Sequence, residues 1–349
     1  MTVTVNTVTV NAALDSRVLD ELRAATERPD LEFAAEPERL TGGFWAELLA
    51  IRLKEPPPGW PRDLVARVMP EPETARKESV VQTVVAASGF PTPAVRLTGG
   101  PDSRVGRAFM IMDRAAGAPL MSGLNGLGTL ASGLRETGKI PDVLASTMAA
   151  LHAVDPRPVR DELAGLTGIS ATVPDMLSFL AQAAGGCGRA DLVGAARFLT
   201  DHPRPPDRQV ICHGDLHPFN VLADADRVTV LDWSASLLGS RVYDVAFTTT
   251  MLAEPPLVVP AALRPPLRGT GRLLAGQFLR RYQAHAGVKI GRDDLRWHQA
   301  IVCLRILVEV AGWVRDGSIE GRAGHPFLIC GRAHAVRLAS VTGVHVRPR

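Results

Sequence analysis

Residues 210–236 read VICHGDLHPFNVLADADRVTVLDWSAS. His213 and Asp215 stand close before Asn220, an apolar stretch with an Asp-rich turn follows, and Asp232 comes between Leu231 and Trp233. A carboxylate inside an apolar run is costly unless a cation or hydrogen-bond donors satisfy it. Phosphoryl transfer supplies such partners. It needs one carboxylate to orient an attacking hydroxyl and take its proton, and oxygen ligands for the Mg²⁺ that neutralises the phosphates. On that reading Asp215 is the base, Asn220 binds the metal through its amide oxygen, and Asp232 is the anionic metal ligand. The segment VLADADRVTVL reads as a hairpin that returns the chain.

Upstream, the hydrophobic period predicts a helix over residues 14–27, then strand, Gly-Gly turn and strand in RLTGGFWAELLAIRLK. EPPPGWPR must be a loop, since its four prolines permit neither ladder nor helix. DLVARVMP is a further strand, ETARKESVVQTVVAASG a helix closed by Gly89, and the stretch to residue 115 holds two more strands. Beyond AAGAPL the pattern is helical nearly throughout. The expected fold is α+β with a strand-rich lobe over 1–112, a hinge at 113–117, and a helical lobe over 118–349.

The 349 residues carry a net charge of +3 with no long basic run, which argues against a nucleic-acid partner. The four cysteines, Cys187, Cys212, Cys303 and Cys330, form no C-x-x-C pair, as expected of a reducing compartment. The N-terminus lacks the pattern of a signal peptide. AIVCLRILVEVAGWV is interrupted by Arg305 and Glu309, so it reads as a buried helix and no membrane is expected. The expected setting is the cytoplasm.

HGDLHPFNVL followed by VLDWSASLLGSRVYDVA resembles the signature of the aminoglycoside phosphotransferase and choline kinase superfamily, the kinase-like small-molecule kinases. Weaker likenesses precede it in the family's order, so the resemblance spans roughly residues 38–250. It implies a two-lobe protein-kinase-like fold holding ATP and Mg²⁺, with a small-molecule hydroxyl as acceptor. Asp215 then resembles the catalytic Asp, and His213 the motif histidine that shapes the loop. Asn220 and Asp232 match the metal ligands, Arg67 the phosphate-contacting base, and Glu78 its helix partner. Met112, Asp113 and Arg114 would lie beside the adenine, contacting it through backbone groups. Gly42 and Gly43 fall in the nucleotide-covering loop, where bulky Phe44 and Trp45 depart from the family's small residues.

Among the remaining residues, Asp244 is expected to cap the helix beginning VAFTTTML, and Cys212 and His152 to be core residues. Tyr282, Trp297, His298 and Trp313 are candidates for lining the acceptor site, although each suits the core better. A catalytically inactive kinase-like binding protein is the alternative reading. A metal-dependent phosphoesterase would need an earlier D-x-H and a later G-N-H-[DE], and the sequence has neither. A Walker A loop is also missing.

Overall fold

The computed structural model describes residues 4–40, 46–121, 138–205, 207–225, 227–255, 261–322 and 325–348, without the side chains of 4–13, 261 and 326. Gly42, Gly43, Phe44 and Trp45 lie outside the described residues. The chain forms two compact units, each discontinuous in sequence. The first comprises residues 1–118, 161–169 and 222–234; the second comprises 119–160, 170–221 and 235–349.

The first unit is built on five antiparallel strands in the order β1-β2-β3-β5-β4: β1 (Glu38–Leu40), β2 (Glu47–Arg52), β3 (Asp63–Met69), β4 (Val95–Gly99) and β5 (Ala108–Asp113). Successive side chains of a strand point to opposite faces. Leu64, Ala66 and Val68 of β3 therefore join Leu14, Val18 and Leu22 of helix α1 (Thr4–Thr26) in one core. Met69 faces the other way and packs with Ala75 of helix α2 (Pro72–Ala87). Arg67 shares the parity of Met69, which decides its surroundings. Helix α1 begins ten residues before its apolar period does. The preceding β-branched alternation continues the helix, because extending a helix gains a hydrogen bond per residue, whereas a lone strand leaves its ladder unpaired.

From residue 138 onward the helices are α3 (Ile140–Ala153), α4 (Arg157–Ala164), α5 (Val173–Gly186), α6 (Ala190–Asp201), α7 (Arg241–Ala253), α8 (Arg264–Ala286), α9 (Arg292–Arg315) and α10 (Pro326–Thr342). The N-terminus of α5 is fixed by a reciprocal capping box between Thr172 and Asp175. Within the second unit, strand Gln209–Cys212 pairs antiparallel with Leu237–Ser240. Ile301, Cys303, Leu304, Leu307 and Val308 of α9 lie in the main core of this unit. By length and composition α9 could cross a membrane, but 72% of its apolar window is buried, as in a core helix. Tyr282, Trp297, His298 and Trp313 are all buried.

Two histidines of the second unit are kept neutral. Burial, aided by Arg322 and opposed by Asp215, lowers His325 to about 4, and burial beside Arg337 lowers His334 to about 4. An unfolded histidine takes up its proton near pH 6.5, so between those values the unfolded chain binds more protons. Their contribution is whole above about pH 6.5 and lost as pH falls through about 4. For the fully buried His334 this amounts to about 3 kcal/mol. Between pH 7 and pH 4.5 the wild type should therefore lose more stability, or gain less, than His334→Asn, as read from denaturation midpoints; the same pH dependence in both would contradict the assignment.

Candidate active site

In the first unit, β3 parity turns Arg67 toward α2, where Glu78 meets it with Nε to Oε1 at 3.2 Å. Both are buried, Glu78 to 1% exposure and Arg67 to 6%. Burial pushes the Glu78 carboxyl up to about 7, against the pull of Arg67 and with a further push from Asp232. Arg67 Nη2 also donates to Asp232 Oδ1 at 3.1 Å. The guanidinium thus joins a strand, a helix and a loop that are far apart in sequence.

The loop bearing Asp232 is tied into this unit by the segment after α2. Val230 N donates to the Pro91 carbonyl at 2.8 Å, and Thr92 Oγ1 donates to the Val230 carbonyl at 2.8 Å. Trp233 is fully buried edge-on to Phe90, and its indole N–H donates to Thr92 Oγ1. With Trp233 so anchored, Asp232 adopts φ +64°, an uncommon left-handed conformation that Asp tolerates better than most residues. Its Oδ1 accepts from Arg67, from Ser234 Oγ at 2.6 Å and from Ser234 N at 3.3 Å. Among the described residues Oδ2 accepts no hydrogen bond, and a carboxylate oxygen is a donor of the type Mg²⁺ prefers.

Met112 pairs with Val65 across the sheet, and Asp113 makes a two-point ion pair with Arg96 at 2.6 and 2.8 Å. The N–H groups of Asp113 and Arg114 donate to the carbonyls of Ala94 and Asp63. Neither amide is therefore open to a purine. A backbone donor to a nucleotide base would have to come from beyond Arg114.

In the second unit, the loop after strand Gln209–Cys212 turns at Gly214, with φ +77°. A Cβ there would lie 2.1 Å from the Ala235 carbonyl oxygen, so only glycine fits. The N–H groups of His213 and Gly214 donate to Asp244 Oδ2 and Oδ1 at 2.8 and 2.6 Å. This corrects the expected role of Asp244. The cap of α7 is Ser240, while Asp244, inside the helix and buried, braces the loop. His152 is buried between Asp244 Oδ2 (3.2 Å) and the Tyr282 hydroxyl (2.7 Å), and Cys212 is buried beside them. His213 is fully buried, and its Nδ1 accepts the N–H of Asp215.

Asp215 itself is about a quarter exposed. Asn220 Nδ2 donates to its Oδ2 at 3.1 Å and to its backbone carbonyl at 3.0 Å. With the nitrogen of Asn220 so engaged, its amide oxygen makes no hydrogen bond among the described residues. His217 Nε2 stands 3.6 Å from Oδ2, and Arg305 Nη2 3.4 Å from Oδ1. Burial pushes the Asp215 carboxyl up, but His217, Arg305 and His213 together hold it below the ordinary carboxylate value. Asp215 is therefore ionised at neutral pH. Sequence reasoning missed Arg305 as a site residue; the one available signal was a charge interrupting the most apolar helix.

A model of the phosphotransferase enzyme family matches residues 52–298, well over half of the chain. The chain belongs to this family. No curated protein matches it. Among solved structures, a thermostable mutant of the aminoglycoside phosphotransferase APH(4)-Ia, in a ternary complex with AMP-PNP and hygromycin B, superposes with a TM-score of 0.60 at 19% identity. That match covers 94% of this chain and 98% of the other. A choline/ethanolamine kinase family protein from Mesorhizobium loti gives 0.53 at 17% identity, covering 94% and 99%. The macrolide 2'-phosphotransferase MphH from Brachybacterium faecium gives 0.50 at 20%, covering 92% and 97%. At these identities the likeness establishes the kinase-like α+β fold. Family membership makes the phosphotransferase a kinase acting on hydroxyl groups.

Proposed function

We propose that this phosphotransferase moves the γ-phosphoryl group of ATP to a hydroxyl of a small molecule, with Asp215 as the base. The observation carrying this reading is the Asp215 carboxylate, ionised, a quarter exposed, and held by Asn220 whose amide oxygen is left free. Asn220 offers an amide oxygen and Asp232 a carboxylate oxygen of the kind that ligates Mg²⁺, an ion that when bound neutralises the phosphates. Arg67, held by Glu78, would contact the nucleotide phosphates. Positioning and charge neutralisation then do most of the catalysis, and no covalent enzyme intermediate is needed. The solved neighbours support a nucleoside triphosphate donor, since one binds AMP-PNP together with hygromycin B. From residue 201 onward there are 19 Lys and Arg against 13 Asp and Glu, which disfavours a polycationic acceptor.

A thermal-shift titration with ATP, GTP and ADP, each with and without Mg²⁺, tests the donor. A ligand that binds only the folded state at a hundred times its Kd adds about 2.7 kcal/mol of stability. The midpoint should rise with ATP, more so with Mg²⁺, and Asp232→Ala should erase the Mg²⁺ increment. A folded protein showing no shift with any nucleotide would count against the proposal.

A further inference from the structure

Arg305 sits in the apolar core helix α9, 90 residues from Asp215, with its side chain only 14% exposed. Burying a guanidinium costs several kcal/mol unless its donors are well matched. A core helix gains nothing from it that an apolar residue would not supply. Its donors converge on the catalytic loop. Nη1 donates to the Gly214 carbonyl at 2.8 Å and to the Tyr243 hydroxyl at 3.1 Å, while Nη2 donates to Asp215 Oδ1 at 3.4 Å. The guanidinium carbon lies over the Phe247 ring, 5.0 Å from its centre, a cation–π contact. One flat fork thus holds two consecutive residues of the loop, a task for which the single ammonium of lysine is poorly shaped. Asn220 grips Asp215 at Oδ2 and Arg305 grips it at Oδ1, so the carboxylate cannot rotate without breaking one contact.

We propose that Arg305 is a positioning residue for phosphoryl transfer, setting the direction in which the Asp215 carboxylate meets the acceptor hydroxyl. This rests on the reading of Asp215 as the base. Tyr243 and Phe247, both on α7, aim the fork, and α7 also carries the Asp244 that braces the same loop. Helix α9, which would otherwise be packing alone, becomes part of the catalytic apparatus.

The test compares Arg305→Met and Arg305→Lys with the full wild-type chain, following γ-phosphoryl release from ATP–Mg²⁺ to water and to a panel of sugars, amino alcohols and macrolides. A displaced catalytic group costs about 100-fold in rate, so R305M should lose about that much kcat while KM for ATP changes less than about twofold. R305K should recover about a tenfold part of the loss, keeping the charge without the fork. Millimolar guanidinium should partly restore R305A. In an Asp215→Asn background, R305M should add no further loss, whereas a residue that merely supports the core would lower the rate again. Wild-type kcat in R305M, or an additive loss in the double variant, would overturn the positioning role alone. If R305M does not fold, wild-type kcat in R305K overturns it equally. Absence of turnover in the wild type on every acceptor would instead overturn the phosphotransfer reading, and this inference with it.

Discussion

Asp215→Ala should reduce kcat for γ-phosphoryl transfer about 1000-fold, within the range that a positioned general base supplies. Nucleotide binding should survive, because the nucleotide and metal contacts are assigned to Arg67, Asn220 and Asp232. The fold should survive as well. Arg305 keeps the Gly214 carbonyl and the Tyr243 hydroxyl as acceptors, so its charge is not stranded by the change. Asp215→Asn preserves the shape of the side chain and removes only its basicity, and should be nearly as impaired. Initial rates of ATP consumption, with a thermal shift as the folding and binding control, decide the matter. If either variant kept a tenth of wild-type turnover, Asp215 would not be the base.

Arg67→Met should strongly destabilise the first unit. It removes the cation facing the 1% exposed Glu78, so that ionising this buried acid goes uncompensated, at a cost of about 3 kcal/mol or more. Asp232 suffers less, being 31% exposed and still bonded to Ser234. Glu78 already holds its proton to about pH 7 with Arg67 present, and without Arg67 it holds the proton higher still. A carboxyl whose folded pKa is raised contributes fully below its unfolded value, and that contribution is lost as pH rises through the folded one. Urea denaturation should accordingly show a larger deficit for R67M at pH 8 than at pH 6. Adding Glu78→Gln should restore part of it, because the buried group no longer ionises. A deficit independent of pH and untouched by E78Q would show that packing alone, and not the charge, was lost.

Much of this site is legible in the order of the amino acids. The spacing of His213, Asp215 and Asn220 lies within one loop, and short-range hydrogen bonds such as Asn220 to the Asp215 carbonyl follow from sequence separations of a few residues. Strand alternation places Arg67 on one face of β3, and the helix after it offers Glu78 as partner. The glycine turn at Gly42 and Gly43 lies outside the described residues. Asp244 escapes such reading for a physical reason. An acidic residue in the first turn of a helix suits a dipole or capping role locally, and nothing within a few residues reveals two N–H donors arriving from 30 residues upstream.

The sequence by itself determined the local chemistry: the α+β order of elements, the loop that carries Asp215, and the residue types that suit a metal and a nucleotide. These depend on backbone periodicity and on contacts within a turn or two. Tertiary structure alone decided which distant groups complete them. Arg305 beneath Asp215, Asp244 behind His213, and Trp233 locked against Phe90 and Thr92 all join segments tens of residues or more apart. A buried charge must find its partner wherever packing brings one, and that choice is set by how helices and strands fit together in three dimensions.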